Sequence, residues 1–480
     1  MRHQVELAKA LEVFFVKHKR RFPYLHALMF AVFAALIFIP TFLPLPEEGA
    51  TTTNNFTLFA RFAIWGLWFP FILVSVIFFG RIWCGLLCPQ GALSEFISRW
   101  GLNRPLPKWM RKAWIPMAAF FLITVSGKLL GVDEFPLGAF EILGGTMVLA
   151  ALVGFLYVKG MRPWCRYLCP VGGLLGVFSR MGAVSFEKTC GDSGTATNRR
   201  KHGSERRVMH VAFYNGPERR KSERRTNRKA AICPTFINPL NKSASSYCIE
   251  CFKCVKNGEQ TNSLHLQLRR PGVEIEEIEK RNPSRWEVIF LFAATGLGLG
   301  DFHSEVGPLL AKYTSLLGAL FGRLGLGEFM NQSGPWWLMM NYPKYGEVLT
   351  WLDSIAIITF ITAFMFCILL VLYALTSLSA LAIDKYRDNL ALGYLYAPVA
   401  LVSLVVGVGG MIFSSLGVFG LGEGAIHAVE AGIFAIGGLW SVILALRLTA
   451  HFSKARQAIA MVPNFIGISL VAFLWYEVLF

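Results

Sequence analysis

The chain has 480 residues, of which 54% are hydrophobic and 16% charged, and a formal net charge of +17. A mean hydropathy of +0.48 with so few charges excludes an ordinary soluble globule and points to a polytopic membrane protein. The basic balance is not a nucleic-acid signal, and no nucleic-acid partner is expected. Lysine and arginine gather beside apolar segments, where anionic lipid headgroups lie, and between Arg199 and Lys229.

A hydrocarbon core about 30 Å thick needs about 20 apolar residues of helix to cross it. About nine stretches qualify, at roughly 25–44, 61–80, 113–131, 140–158, 284–300, 354–380, 391–414, 425–447 and 459–480. The fifth is short and rich in glycine. A polar amphipathic lead precedes the first, and no cleavable signal peptide is evident. The expected fold is an all-α polytopic membrane protein with a small cytoplasmic ferredoxin-like iron–sulfur domain. Residues 1–180 would form a four-helix membrane unit, 181–283 the polar domain, and 284–480 a five-helix membrane unit.

The second and fourth segments each run into the same motif. Arg81-Ile82-Trp83-Cys84-Gly85-Leu86-Leu87-Cys88-Pro89-Gln90-Gly91 returns as Arg162-Pro163-Trp164-Cys165-Arg166-Tyr167-Leu168-Cys169-Pro170-Val171-Gly172. The offset of 81 (165 − 84) persists through Leu93/Leu174, Ser98/Ser179, Arg99/Arg180 and Gly101/Gly182. Within each copy the cysteines stand at i and i+4, on one face if the helix continues. The following proline disfavours helix at Cys88 and Cys169, so the sulfurs should point off a helix end. The glycine after each Cys-Pro fits a tight turn before a short interfacial helix. Cys84, Cys88, Cys165 and Cys169 thus gather at one membrane surface. They suit an iron–sulfur cluster, a soft metal such as Cu(I), or paired redox dithiols.

The polar stretch carries Cys248-Ile249-Glu250-Cys251-Phe252-Lys253-Cys254, a C-x2-C-x2-C run with Cys233-Pro234 upstream. Three cysteines at that spacing fold around one face of a [4Fe–4S] cube, and a Cys-Pro commonly supplies the fourth ligand. Zinc is less apt, because its sites more often pair two C-x2-C arms. In a two-cluster ferredoxin each run's last cysteine serves the other cluster. Here Cys190 and Cys233 look like the ends of a first run whose middle is missing, and Gly258 stands where the second run's fourth cysteine would be. Both losses remove the same cluster. The set left complete is Cys233, Cys248, Cys251 and Cys254, for one [4Fe–4S] cluster. Between Cys190 and Cys233 lies an arginine-rich insertion, too polar to form a core. It reads as a solvated linker over anionic lipid, or a dock for an acidic redox partner.

In the last block, two polar groups stand at the outer span ends. One is Asp301-Phe302-His303-Ser304-Glu305; the other is Glu423, His427 and Glu430, at i, i+4 and i+7. Such residues can bind a metal, relay protons or hold a quinol hydroxyl, so His303, Glu423, His427 and Glu430 are candidate site residues. Haem b would need facing axial histidines at matching depth. His26 with His451, and His303 with His427, meet the depth condition, but nothing in the flanks supports haem. Cys367, among Phe, Met, Ile and Leu, is expected in the core.

Lysine and arginine follow or precede alternate spans: Lys17 to Arg21, Arg99 to Lys112, Lys159 to Arg180, Lys385 and Arg387, and Arg447 to Arg456. The intervening connections carry Glu47, Glu48, Asp133, Glu134 and Glu423. By the positive-inside rule the N-terminus and both Cys-Pro motifs are cytoplasmic and the C-terminus periplasmic. That reducing side disfavours disulfides and favours metal ligation.

On the paired Cys-x-x-x-Cys-Pro motifs followed by ferredoxin cysteines, residues 20–280 resemble the membrane polyferredoxin-like proteins related to NosR, NapH and CcoG. The resemblance implies electron transfer at the inner membrane of a bacterium, in respiration or copper-oxidase assembly, through Cys84, Cys88, Cys165, Cys169, Cys233, Cys248, Cys251 and Cys254. The chain departs from that group in its single ferredoxin cluster, its arginine-rich insertion and its five-span block. The leading expectation is an iron–sulfur electron-transfer protein linking quinone or a cytoplasmic donor to a respiratory or metalloenzyme partner. A copper-handling assembly factor and a transporter or structural subunit of a membrane complex are the alternatives. No residue set looks like a bond-breaking catalyst.

Overall fold

The computed structural model describes residues 2–47, 49–188, 233–238, 242–255, 264–306, 308–383, 389–416 and 422–479. The arginine-rich insertion, Cys190 and Gly258 lie outside the described residues.

The duplication in sequence is a duplication in structure. The first copy enters through Phe56–Arg61, whose N-terminus is capped by the Asn55 side chain accepting from Thr57 and Leu58 N–H. It passes a π segment, Phe62–Trp68, and continues as Phe69–Phe79. The second copy repeats this as Pro136–Ala139, a π segment Phe140–Gly144, and Gly145–Leu156. Each copy then makes a single π turn, Trp83–Leu87 and Trp164–Leu168, and starts a short helix on the proline, Pro89–Ser98 and Pro170–Phe178.

Between the copies and the last block lies the polar domain. Val184–Lys188 (β1) pairs antiparallel with Leu264–Leu268 (β2), with Phe186 opposite Leu266. The alternation puts Val184, Phe186, Leu264 and Leu266 into a small core with Phe252 and Val255. The N-terminal helix Arg2–His18 closes this core from outside. Its Ala8 and Val16 are buried, Phe15 stacks on Phe252 at 4.6 Å, and Glu12 accepts from the Leu266 N–H at 2.7 Å.

The last block begins with Arg285–Val306, which packs along the 32-residue helix Trp351–Ala382. Gly296 and Gly300 permit the approach, since Cβ atoms there would meet Met365 Cα at 2.9 Å and Ile361 Cα at 3.2 Å. Ala397–Val408, Glu423–Thr449 and Lys454–Leu479 complete the bundle. One continuous buried cluster draws on all three expected units, including Val76, Trp83, Phe178, Ile249, Tyr394 and Trp475. A buried ion network ties them together. Arg180 donates to Glu287 at 2.7 Å and Glu274 at 3.1 Å, Arg269 holds Glu274 at 2.8 Å, and the Tyr394 hydroxyl donates to Glu287 at 2.5 Å.

The structure corrects several expectations. Among the described residues seven helices, not nine, are long and apolar enough to cross a membrane. The other two expected spans are helices in the expected places. Ile115–Leu130 is only 16 residues, and glycines and acids dilute Arg285–Val306. Arg162 and Arg180 were grouped with the charges that face lipid headgroups, yet each is 1% exposed, because Glu95 pairs the first and Glu274 and Glu287 the second. Cys367 is exposed on the apolar outside of Trp351–Ala382 rather than in the core. That helix is apolar on every side, so its sequence cannot tell the packed face from the outward one.

Candidate iron–sulfur site

The proline of each motif does what its chemistry requires. Cys88 and Cys169 adopt extended backbone, with ψ of 116° and 118°, because a residue before proline is pushed out of the helical region. The turn before them closes one residue wider than an α-turn. Cys88 N–H donates to Trp83 O at 2.9 Å, and Cys169 N–H to Trp164 O at 2.8 Å. Single π turns of this kind recur at functional sites. The glycine expected in a tight turn lies inside the following helix instead, where it makes room for sulfur. A Cβ on Gly91 would stand 3.0 Å from Cys165 Sγ, and one on Gly172 3.2 Å from Cys169 Sγ. The Gly172 N–H donates to that same sulfur at 3.3 Å.

The four motif cysteines lie near one another. Cys165 lies within electrostatic reach of Cys84, Cys88 and Cys169, and Cys169 of Cys84 and Cys88. Burial, reinforced by crowding of like charges, pushes the Cys88 thiol up to about 11 and Cys169 up to about 12, and raises Cys165. Thiols so disposed hold their protons until a cation displaces them. The surroundings supply positive charge: Arg81 Nη2 lies 3.9 Å from Cys84 Sγ, and Arg162 Nη1 donates to Cys84 O at 2.9 Å. Trp164 Nε1 and Arg81 Nε are buried donors without a protein acceptor.

The polar-domain cysteines form a second group. Cys233, Cys248, Cys251 and Cys254 line one largely enclosed cavity under Phe186. The loop that carries three of them alternates hand, with Glu250 at φ 52° and Phe252 at φ 56°. Left-handed residues alternating along a loop turn successive N–H groups inward, the concave nest that receives anions and iron–sulfur groups. Burial raises Cys248 and Cys251 and pushes Cys254 up to about 12. Burial likewise pushes the Glu250 carboxyl up to about 8, against the pull of Lys242 and Arg269.

The two groups are neighbours. A Cβ on Gly85, beside Cys84, would stand 2.2 Å from the Ile249 carbonyl oxygen and 3.0 Å from Cys251 N and Cα. Arg162 N–H donates to Pro234 O at 2.8 Å, and Arg81 Nη1 to Ser246 O at 2.7 Å. Beside them Glu95 accepts from Arg162 Nε at 2.6 Å and from Lys253. Burial alone would raise Glu95, but the Arg162 and Lys253 cations hold its carboxyl down at about 2. Arg166 occupies in the second copy the place of Gly85 in the first, and its guanidinium lies 3.5 Å from the Tyr247 ring centroid.

No site role is expected from sequence for Arg81, Glu95 or Glu250, and for Arg162 only that of a basic residue beside a span. The signal was there for two of them: an arginine opens both copies of the motif.

The outer polar residues are not drawn into one site. His303 is 3% exposed, with Nδ1 2.9 Å from Leu299 O and Nε2 without a protein partner. His427 lies 3.3 Å from Glu430, whose residue is 6% exposed, while Glu423 is exposed in the first helical turn. His26 contacts Gly85 O at 3.2 Å and His451 is exposed. Among the described residues no group of three or more His, Cys, Asp or Glu is placed to hold a single metal ion.

Two stretches, residues 62–114 and 141–188, match the family described as a 4Fe-4S binding domain. Each spans one copy of the repeat with its Cys-Pro motif. YccM of Escherichia coli (strain K12), whose name assigns it provisionally to electron transport, is 26% identical over 232 residues, 42% of this chain and 55% of that protein. The methylamine utilization ferredoxin-type protein MauN of Methylobacillus flagellatus is 28% identical over 160 residues, 30% of this chain and 54% of that protein. The chain thus spans about half the length of the curated relatives it matches. It is similar to ferredoxin-type, polyferredoxin-like proteins. No solved structure matches.

Proposed function

We propose that this chain is an integral membrane iron–sulfur electron-transfer protein with two adjoining four-cysteine sites. Cys233, Cys248, Cys251 and Cys254 would hold one [4Fe–4S] cluster; Cys84, Cys88, Cys165 and Cys169 would hold a second. A cluster bound at such a site supplies one-electron storage. The observation that carries the reading is the gathering of two cysteine quartets side by side, each with two buried and two half-buried members, with arginines beside them. Thiolates around a four-iron cube stand farther apart than around one ion. Four thiols at each site match the four ligands that a four-iron cube takes. The 4Fe-4S family match over the Cys-Pro repeats supports the same choice.

The chain's own residues do three things in this reading. The extended Cys88 and Cys169 turn their thiols off the helix start. Arg81 and Arg162 offset the negative charge of thiolate ligands in a buried setting. The sheet and the N-terminal helix cover the polar-domain cysteines from water. In this reading, supported by the positive-inside distribution, both quartets face the cytoplasm at a bacterial inner membrane, with quinone or a cytoplasmic donor on one side and a respiratory or metalloenzyme partner on the other. His303, Glu423, His427 and Glu430 lie toward the opposite face, and we assign them to proton or quinol handling. Wild-type turnover with quinol in His303→Ala and His427→Ala would remove that assignment.

The decisive experiment is iron and acid-labile sulfide analysis with EPR on protein purified without oxygen. Two reducible cubane signals are expected, one lost in Cys248→Ser and the other in Cys84→Ser. Copper in place of iron, or a colourless iron-free preparation, overturns the reading.

A further inference from the structure

Each copy of the repeat opens on an arginine three residues before its first cysteine, and both are buried, Arg81 at 3% and Arg162 at 1% exposed. A buried guanidinium is retained only where anionic or carbonyl partners meet it from several sides. Arg162 contacts both cysteine sites, one through its guanidinium and the other through its main chain. Its Nη1 donates to Cys84 O at 2.9 Å, and its main-chain N–H donates to Pro234 O, next to Cys233, at 2.8 Å. The position of a Cβ on Gly91 is 3.0 Å from Cys165 Sγ and 3.3 Å from Arg162 Nη1, which brings that sulfur and the guanidinium to one spot. Arg162 is also within electrostatic reach of Cys251 in the other quartet. Its carboxylate partner Glu95 is shared with Lys253, so this group of three side chains keeps a net positive charge.

Resting on the function proposed above, we propose that Arg162 is a positioning residue that couples the two cysteine sites, a single fixed cation held between both centres and setting the reduction potential of each. Reduction adds one electron and one negative charge to a centre. A nearby fixed cation stabilises that charge and raises the potential, more so in a water-poor setting. Because the cation is shared, a change at Arg162 moves both centres together. With both centres loaded, transfer between them would oxidise one by one electron, reduce the other by one, and need no further reactant. Glu95 works in the opposite sense, drawing down the effect of Arg162.

The test uses the full-length protein in lipid nanodiscs, titrated with dithionite and followed by EPR. Arg162→Gln should lower both midpoint potentials by at least a tenfold change in the reduction equilibrium, about 59 mV for a one-electron couple. Arg162→Lys should keep both near wild type, Glu95→Gln should raise both, and exposed Arg99→Gln should move neither. Unmoved potentials in Arg162→Gln, or a shift confined to one centre, overturn the proposal. So does a Glu95→Gln shift in the same direction as Arg162→Gln, or a wild type with a single centre. If Arg162→Gln does not retain iron, Glu95→Gln decides: a rise in both potentials supports the coupling and any other result overturns it. An iron-free wild type overturns the proposed function itself, whereas loaded wild-type protein whose potentials ignore Arg162 overturns only the coupling.

Discussion

Gly85→Ala is the most direct probe of how the two cysteine loops meet. The added Cβ would lie 2.2 Å from the Ile249 carbonyl oxygen, where real Cβ atoms essentially never come within 3.0 Å. The loops must therefore separate by at least about 0.8 Å, the difference of those two distances. The obstructing atoms are backbone, Ile249 O with Cys251 N and Cα, so no side-chain end can swing aside. Overpacking of this kind costs about 1–3 kcal/mol, and the rigid contact puts the expectation near the upper end. The assay is thermal unfolding of purified protein, read beside iron content. Gly145→Ala is the control, since a Cβ there meets nothing within 4 Å and alanine suits a helix better than glycine. Gly85→Ala should melt at a lower temperature than wild type and lose iron first. A variant with wild-type melting and iron content would refute the close approach of the two loops.

Three further outcomes follow from the geometry. Glu95 is held at about 2, below its ordinary 4.5, so its ion pairs stabilise the folded chain above about pH 4.5. That contribution is lost as pH falls through about 2; the stability gap between wild type and Glu95→Gln should be flat at neutral pH and close on acidification, and a gap that widens would contradict it. Arg180→Met leaves buried Glu287 without its cation and Glu274 with Arg269 alone, and should destabilise by about 3–5 kcal/mol, seen as lost monodispersity on size exclusion. Phe15→Ala removes the stack on Phe252 and should raise amide exchange across Arg2–His18, leaving exchange in Trp351–Ala382 unchanged.

Much of this arrangement could be read before the structure, because its signals are local. The repeated Cys-Pro motif, the apolar stretches and the C-x2-C-x2-C run are each written in consecutive residues, and the cysteines do gather into two quartets. What escaped depends on who meets whom. Nothing local says that Gly85 faces a carbonyl 164 residues away (249 − 85), or that Arg162 turns inward while Arg99 stays exposed. The helix Pro308–Arg323 fell between expected spans because its apolar and polar residues mix at helical spacing rather than forming one apolar run. The N-terminal helix reads in sequence as a polar amphipathic lead to the first span. Its docking on the polar domain depends on Glu12 finding an edge strand far along the chain.

That last contact has a consequence for synthesis. Glu12 leaves the ribosome 254 residues ahead of Leu266, the strand residue whose N–H it accepts. At about 5–20 residues per second, the interval between the two is roughly ten to fifty seconds. Throughout it the first helix has no strand edge to dock on. Cys254, the last-made cysteine of its quartet, precedes Leu266 by only 12 residues (266 − 254), so the quartet is complete only shortly before the first helix can close over it.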